Sequence, residues 1–458
     1  MPSIPSISEQ IAAYYEQADQ NAIPADVVYH AKECVLDYLG CAIGGASLES
    51  TRIVKKSLIP KDYAGICSVV LDERAPAEKA AFINAAAAHG LEMDDSNTQA
   101  GGHPGAPIIS AALAVAEERD ASGLDFLRAV IWGYDLMVRI ARAAVPDTCF
   151  ERGWHPTAIF GIFGATVAAS MLRGTDAGRL VNALGVAGGF AAGNLECYAD
   201  NSLTKRLNPG HAAYGAVTAS SLAEFGYVGP RWIFEGGCGF LHAYSDGTRP
   251  ERMLENLDYS EYPLSYTAFK PYASCRYTHA PIDSTLKIRS AHGVKPEDVE
   301  KIVVDVVSMA VRAVVEPREL KYNPDNIAGA QFSLPYTVAC AMLFGAVSVE
   351  QFTEELLHDA DVKAMMDKVE MLHTGEMDRY LPHIFAANVT VRTKDGKEYT
   401  ELTTFTKGDP EAPITKDELK GKFLSLAKIN IDEARALRIH DAVFRLDDID
   451  VRKLTELL

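Results

Sequence analysis

Positive charge is scarce in this chain. Lys and Arg total 44 against 62 Asp and Glu, a formal net charge of −18. No Lys/Arg cluster runs longer than two or three residues. Such a field repels nucleic acid and anionic membranes unless a dense basic patch opposes it, so neither is expected as a partner. Long apolar runs are missing too. The uncharged stretch Thr157 to Leu172 is shorter than the ~20 residues a spanning helix needs, and it is rich in Gly and Ala. The opening residues, Met1 to Gln17, place no basic region before an apolar stretch, so no secretory leader is expected. Cysteine is thinly spread: Cys34, Cys41, Cys67, Cys149, Cys197, Cys238, Cys275 and Cys340 form no CxxC pair. They read as reduced, mostly buried thiols of a soluble cytoplasmic protein. Internal repeats and low-complexity segments are absent.

What is present is a globular composition, 48% apolar and 23% charged over 458 residues. The first half reads as helix after helix. Apolar residues at Val28, Ala31, Val35, Leu39 and Ala42 follow Pro24 on one helical face and end at Gly44-Gly45. Pro76 suits the first helical position before Ala77 to His89. Further helices are expected from Pro107 to Glu118, Leu124 to Ala144 (closed by Pro146), Pro156 to Arg173, Asp176 to Val186 and His211 to Phe225. Small residues on several of their faces imply close packing inside a helical core.

The pattern changes after about Tyr266. Val299 to Val307 is β-branched and predicts a strand. Val389 to Arg392 and Glu398 to Leu402 flank Lys394-Asp395-Gly396-Lys397, a hairpin turn signal. Helices are expected at Ala280–His292 and Ser333–Phe344, and again beyond Pro413, where Ile431 to Asp441 is clearest. The fold class is therefore mainly α with an α+β part. An all-helical domain is built from both chain ends, residues 1–265 and 408–458. A smaller α+β lid domain, residues 266–407, is inserted between them. A cleft between the two would be the natural ligand site.

Five segments hold the chemistry-bearing residues. His89 to Gly105 packs Glu92, Asp94, Asp95, two histidines and Gly-Gly-His-Pro-Gly between two helices. Alone it reads first as an acidic capping loop, and its spacing matches no dedicated metal set. His155 immediately precedes a helix, where it could be acid, base or anion ligand, or simply a cap. Lys205-Arg206 precedes a Pro-Gly helix start, which suits a small carboxylate or phosphate as well as a solvated turn. Phe269 to His279 brings Lys270, Cys275 and Arg276 to the domain junction. Phe332 to Tyr336 opens a helix.

Taken in order, these segments resemble the MmgE/PrpD family. The resemblance runs from about Ile7 to Thr406 and is carried by Leu36-Asp37-Tyr38-Leu39-Gly40, His89-Gly-Leu-Glu-Met-Asp94-Asp95, His103-Pro104-Gly105, Trp154-His155-Pro156-Thr157, Lys205-Arg206-Leu207, Glu235 to Phe240, Lys270-Pro271-Tyr272 and Phe332 to Tyr336. It implies a homodimer whose active site lies between the two domains and handles small di- or tricarboxylates without organic cofactor or required metal. It puts His103, His155, Lys205, Lys270 and Tyr336 on positions lining the pocket. Glu92 and Ser96 stand where related decarboxylases show Asp and Thr, and Cys275 where some show His. The expected chemistry is proton abstraction, or CO₂ loss, at the carbon alpha to a carboxylate. That needs a base within about 3 Å and fixed donors for the enolate charge. Candidate acids and bases are His103, His155, Tyr336, Cys275, Asp94 and Asp95. Candidate substrate contacts are Lys205, Arg206, Lys270, Arg276, Glu92 and Ser96. A dehydratase- or decarboxylase-like lyase leads. An epimerase of an amino-dicarboxylate is the alternative, and a non-catalytic carboxylate binder the distant one.

Overall fold

The structure is a computed structural model that describes residues 4–59, 65–72, 74–144 and 146–458. Residues 1–3 of the N-terminal stretch read above lie outside the described residues.

Small residues decide the helical core. The helices Ala77–His89, Gly105–Glu118, Gly161–Leu172 and Asn208–Glu224 pack on one another. Helix Gly123–Ala144 crosses Gly161–Leu172 at Gly133 and Gly164, and a Cβ on Gly164 would lie 2.4 Å from the Gly133 carbonyl oxygen. No larger residue permits that approach. Helix Ala25–Gly45 forms as its periodicity predicts. Its opposite flank is covered by helices Lys416–Ala427 and Glu433–Phe444 from the far end of the chain.

The smaller part holds a four-stranded sheet in the order Val369–Leu372, Val299–Val306, Ala387–Thr393, Glu398–Thr403. The first pair is parallel, Ile302 opposite Val369, and the rest antiparallel, Ile302 opposite Val391. Helix His279–His292 packs on this sheet and on helix Leu334–Phe344.

Several boundaries differ from the sequence reading. Pro76 caps its helix from outside, with extended backbone, and does not occupy the first turn. The expected Pro156 to Arg173 helix is two helices, Pro156–Ile159 and Gly161–Leu172, broken at Phe160. Pro146 opens a short helix of its own, Pro146–Glu151. The helix expected from His211 starts at Asn208, because Pro209 is accepted in a first turn. Strand Val369–Leu372 was not anticipated at all. Among the described residues no helix is long and apolar enough to cross a membrane.

Candidate active site

Helix Ala77–His89 delivers His89 at its last residue, and the chain then loops through the acids to helix Gly105–Glu118. Glu92 sits in this loop with φ +54°, a left-handed conformation that costs a residue with a Cβ roughly 1–2 kcal/mol. What holds it is its carboxylate: Oε1 accepts from Lys205 Nζ at 2.7 Å, and Oε2 lies 3.6 Å from Lys270 Nζ. Lys270 also donates to the Glu92 carbonyl at 3.1 Å and stands 4.0 Å from Asp94 Oδ1. Burial pushes the Glu92 carboxyl up, but Lys205 and Lys270 outweigh it and hold it at about 2. Asp94 is likewise well below the usual carboxylate range, burial being outweighed by the hydrogen bond from His89 and by Lys270.

Three imidazoles cluster beside these pairs. The His89 ring centroid is 5.3 Å from that of His103 and 5.6 Å from that of His155. Their proton positions follow from their partners. His89 Nε2 is 2.7 Å from Lys205 Nζ, and an ammonium only donates, so the ring proton is on Nδ1, 2.7 Å from Asp94 Oδ2. His103 Nδ1 lies 2.5 Å from the Asp95 carbonyl oxygen, which only accepts, so Nδ1 carries the proton and Nε2 a free lone pair. His155 is the reverse. Asn208 Nδ2 donates to the Asn194 carbonyl at 3.0 Å and to His155 Nδ1 at 3.2 Å, so the His155 proton is on Nε2. Burial, then Lys270, lowers the His103 pKa to about 3. Burial and Lys205 put His155 well below the usual histidine range. Both rings are neutral at pH 7, one presenting a lone pair and the other an N–H.

His103, His155, Lys205, Glu92, Ser96, Cys275 and Arg276 all line one inner pocket, with about 590 Å³ of empty space including its mouth. It opens into a larger vestibule of about 1760 Å³, open solvent included, with which it shares Phe150, Arg276, Tyr277 and Phe385. Phe385 and Tyr277 pack with ring centroids 4.8 Å apart, so the α+β part supplies one wall. Arg276 is tied to Asp409. Arg206 donates to Gln331 Oε1 at 3.0 Å and lines an adjoining recess. Burial raises the Cys275 thiol pKa, so it is a weak nucleophile and a poor base.

Asp94 and Lys270 stand against His89 and Glu92 and do not line the pocket, and two further expected catalytic groups are placed elsewhere. Asp95 turns away from the pocket: its carboxylate accepts from the Gly105 N–H at 3.0 Å and the Tyr134 hydroxyl at 2.7 Å. Burial and the neighbouring Asp94 raise its pKa to about 8. Tyr336 is fully buried, donates its hydroxyl to the Gln351 carbonyl at 2.6 Å and does not line the pocket. Its backbone N–H is capped by Ser333, which explains the Phe-Ser-Leu-Pro-Tyr motif structurally. The sequence reading gave no role to His89, Asn208 or Gln331, although His89 opens the acidic segment. Gln331 Nε2 donates to the Leu91 carbonyl at 2.9 Å and the Ala273 carbonyl at 3.2 Å, joining both sides of the cleft. A histidine ending a helix five residues before an aspartate was the available signal for His89; nothing local marks the other two. Among the described residues no group of three or more His, Cys, Asp or Glu side chains is arranged to hold a metal ion.

The sequence that builds this helical body and α+β wall matches one family along both halves. Residues 9–253 match the MmgE/PrpD N-terminal domain and residues 272–448 the MmgE/PrpD C-terminal domain. The chain belongs to the MmgE/PrpD family. It is 27% identical to a cis-aconitate decarboxylase-like protein of Aspergillus oryzae, over 99% of this chain and 97% of that one. It is 26% identical to the cis-aconitate decarboxylase of Mus musculus, over 99% and 93%. It is 21% identical to the 2-methylcitrate dehydratase of Escherichia coli K12, over 87% and 85%. These relatives are lyases by name.

Proposed function

We propose that the protein is a lyase that acts on a small polycarboxylate at the carbon alpha to a carboxylate, without metal or organic cofactor. The observation that carries this is the pair of neutral histidines in opposite proton states, beside Lys205 and Lys270. His103 Nε2 is the base and His155 Nε2–H the donor. This reading sets aside Tyr336 and Cys275, both candidate acids from the sequence. Dehydration begins when His103 takes the alpha proton; the His103 imidazolium then gives it to the departing hydroxyl, to which His155 Nε2–H hydrogen-bonds. In decarboxylation the C–C bond electrons left by CO₂ become a carbanion that takes the His155 Nε2 proton, and the imidazolate left is reprotonated from water. The lysines hold the carboxylates and spread the enolate charge. Greater identity and coverage toward the decarboxylases favour CO₂ loss. The pair also suits an epimerase, one ring removing the alpha proton and the other returning a proton from the opposite face.

The test is proton NMR of cis-aconitate, 2-methylcitrate and amino-dicarboxylates with the enzyme in D₂O. Released CO₂ identifies a decarboxylase, an alkene without carbon loss a dehydratase, and deuterium at Cα without alkene an epimerase. No change in any acid overturns the reading. Activity should survive dialysis against EDTA; metal-dependent rescue of an inactive apo-protein refutes cofactor independence.

The partner we assign is a second copy of the chain. Phe190, Tyr214, Phe225, Tyr227, Val228 and Trp232 leave large apolar side chains exposed along helices Ala177–Phe190 and Asn208–Glu224 and the turns after them. Such a face suits a homodimer, and light scattering of the purified protein tests it. Eight free cysteines fit a cytoplasmic, reducing compartment.

A further inference from the structure

Lys205 carries the one ammonium that lines the inner pocket among the described residues. An ammonium on a four-carbon stem is a point charge with three rotatable N–H groups, and it aims poorly unless something holds it. Two acceptors hold this one. Glu92 Oε1 lies 2.7 Å from Lys205 Nζ, and His89 Nε2 lies 2.7 Å from it as well. The third N–H has no oxygen or nitrogen acceptor among the described residues. Nζ stands 5.2 Å from the ring centroid of Phe332, another wall of the pocket.

The two acceptors do different things. A carboxylate attracts an ammonium over a wide range of directions, so Glu92 supplies charge. A ring nitrogen accepts along one line, so His89 supplies direction. His89 can do so only while its Nε2 is bare, because a proton there would point at the ammonium. Asp94 keeps it bare: its Oδ2 lies 2.7 Å from Nδ1 and takes the ring proton's hydrogen bond. All three side chains are at least nine-tenths buried, which keeps water from competing for these bonds. Their backbones are also registered. His89 ends helix Ala77–His89, and Lys205 sits in the short turn Thr204–Leu207 that packs on it. Neither His89 nor Asp94 lines the pocket, so whatever they do for the reaction passes through Lys205.

We propose that His89, its tautomer set by Asp94, is the positioning residue of Lys205. His89 and Glu92 take two of the lysine N–H groups and leave the third for the substrate carboxylate whose charge grows as the alpha carbon reacts. This rests on the proposed lyase reading. Lys205 touches substrate; the histidine and aspartate behind it aim the donor and transfer no proton.

A double-mutant cycle tests this, with whichever of cis-aconitate, 2-methylcitrate and the amino-dicarboxylates reacts in D₂O. His89→Phe keeps a ring and removes both nitrogens. It should lower kcat at least about tenfold, the scale of a misaimed contact, with a smaller change in KM. In the Lys205→Ala background the same substitution should cost less than about twofold, because the group it aims is gone. His89→Gln, which can put an amide oxygen where Nε2 stands, should recover most of kcat. Equal losses in the two backgrounds overturn the proposal, and so does an unimpaired His89→Phe. A neutron structure of the wild type needs no variant. It should show deuterium on His89 Nδ1, none on Nε2, and the third Lys205 N–D directed into the pocket. Deuterium on His89 Nε2, or a third N–D spent on a protein acceptor, refutes the assignment. If no acid reacts in D₂O, the lyase reading fails, and the neutron map still decides whether His89 aims Lys205.

Discussion

Asn208 fixes the proton of His155. Its amide nitrogen lies 3.0 Å from the Asn194 carbonyl and 3.2 Å from His155 Nδ1, so turning the amide over would set two oxygens against each other. Asn208→Asp leaves only acceptors and should drive the His155 proton to Nδ1. We expect kcat to fall about 10²–10⁴-fold, the usual worth of a positioned proton donor, with little change in KM. Nitrogen NMR of the labelled imidazole should show the tautomer exchanged. Full activity in Asn208→Asp would remove His155 from the role of donor.

His103 is the base in this scheme. His103→Gln should keep the fold and lower kcat by about 10²–10⁴. Its pKa of about 3 means that the lone pair survives acidification. Corrected for substrate ionisation, kcat/KM should stay level from pH 7 to about pH 5, where an ordinary histidine, titrating near ~6.5, would already be protonated. A half-maximal point near pH 6.5 that disappears in His103→Gln contradicts the burial argument.

Lys205 both awaits a carboxylate and neutralises Glu92. Lys205→Ala should lower kcat/KM at least about tenfold and also lower Tm, because it strips a buried carboxylate of its nearest partner. Adding Glu92→Gln should recover the Tm but not the activity. Recovery of both would make the pair purely structural. Lys270→Ala should lower kcat/KM similarly.

Asp95 sets a pH dependence of stability rather than of turnover. Its folded pKa of about 8 stands above the ~3.9 of an unfolded aspartate. The folded chain thus holds a proton that the unfolded chain has released, and this group's effect is a loss of stability as pH rises from about 4 to 8. Asp95→Asn removes that slope. The variant should gain at least about 1.4 kcal/mol on wild type between pH 5 and pH 8.5, the worth of one pKa unit, by denaturant titration. An equal offset at both pH values refutes a protonated Asp95.

The motifs were legible one residue at a time, and their directions were not. His103, His155 and Lys205 line one pocket, while Lys270 stands behind it against Glu92. Asp94 and Asp95 are adjacent in sequence, yet one faces His89 and the other Tyr134. Only the partner across the loop decides that, and Tyr134 lies on a different helix. The helices were readable because Ala and Gly recur along them. Strand Val369–Leu372 was not, since four residues carry little periodicity and its parallel partner is Val299–Val306, far back in the chain. Asn208 looks ordinary in sequence and gains meaning from Asn194 and His155.

Lys422, on helix Lys416–Ala427, donates to Asp37 and, at 2.6 Å, to the Met93 carbonyl between the two acids that face the lysines. The loop holding Glu92 and Asp94 is thus braced by a residue 329 positions further along. A ribosome must pass residue 422 before that brace exists. Nascent chains stopped before residue 422 should form the early helices yet leave the acidic loop unpinned, so that activity waits until that helix has been made.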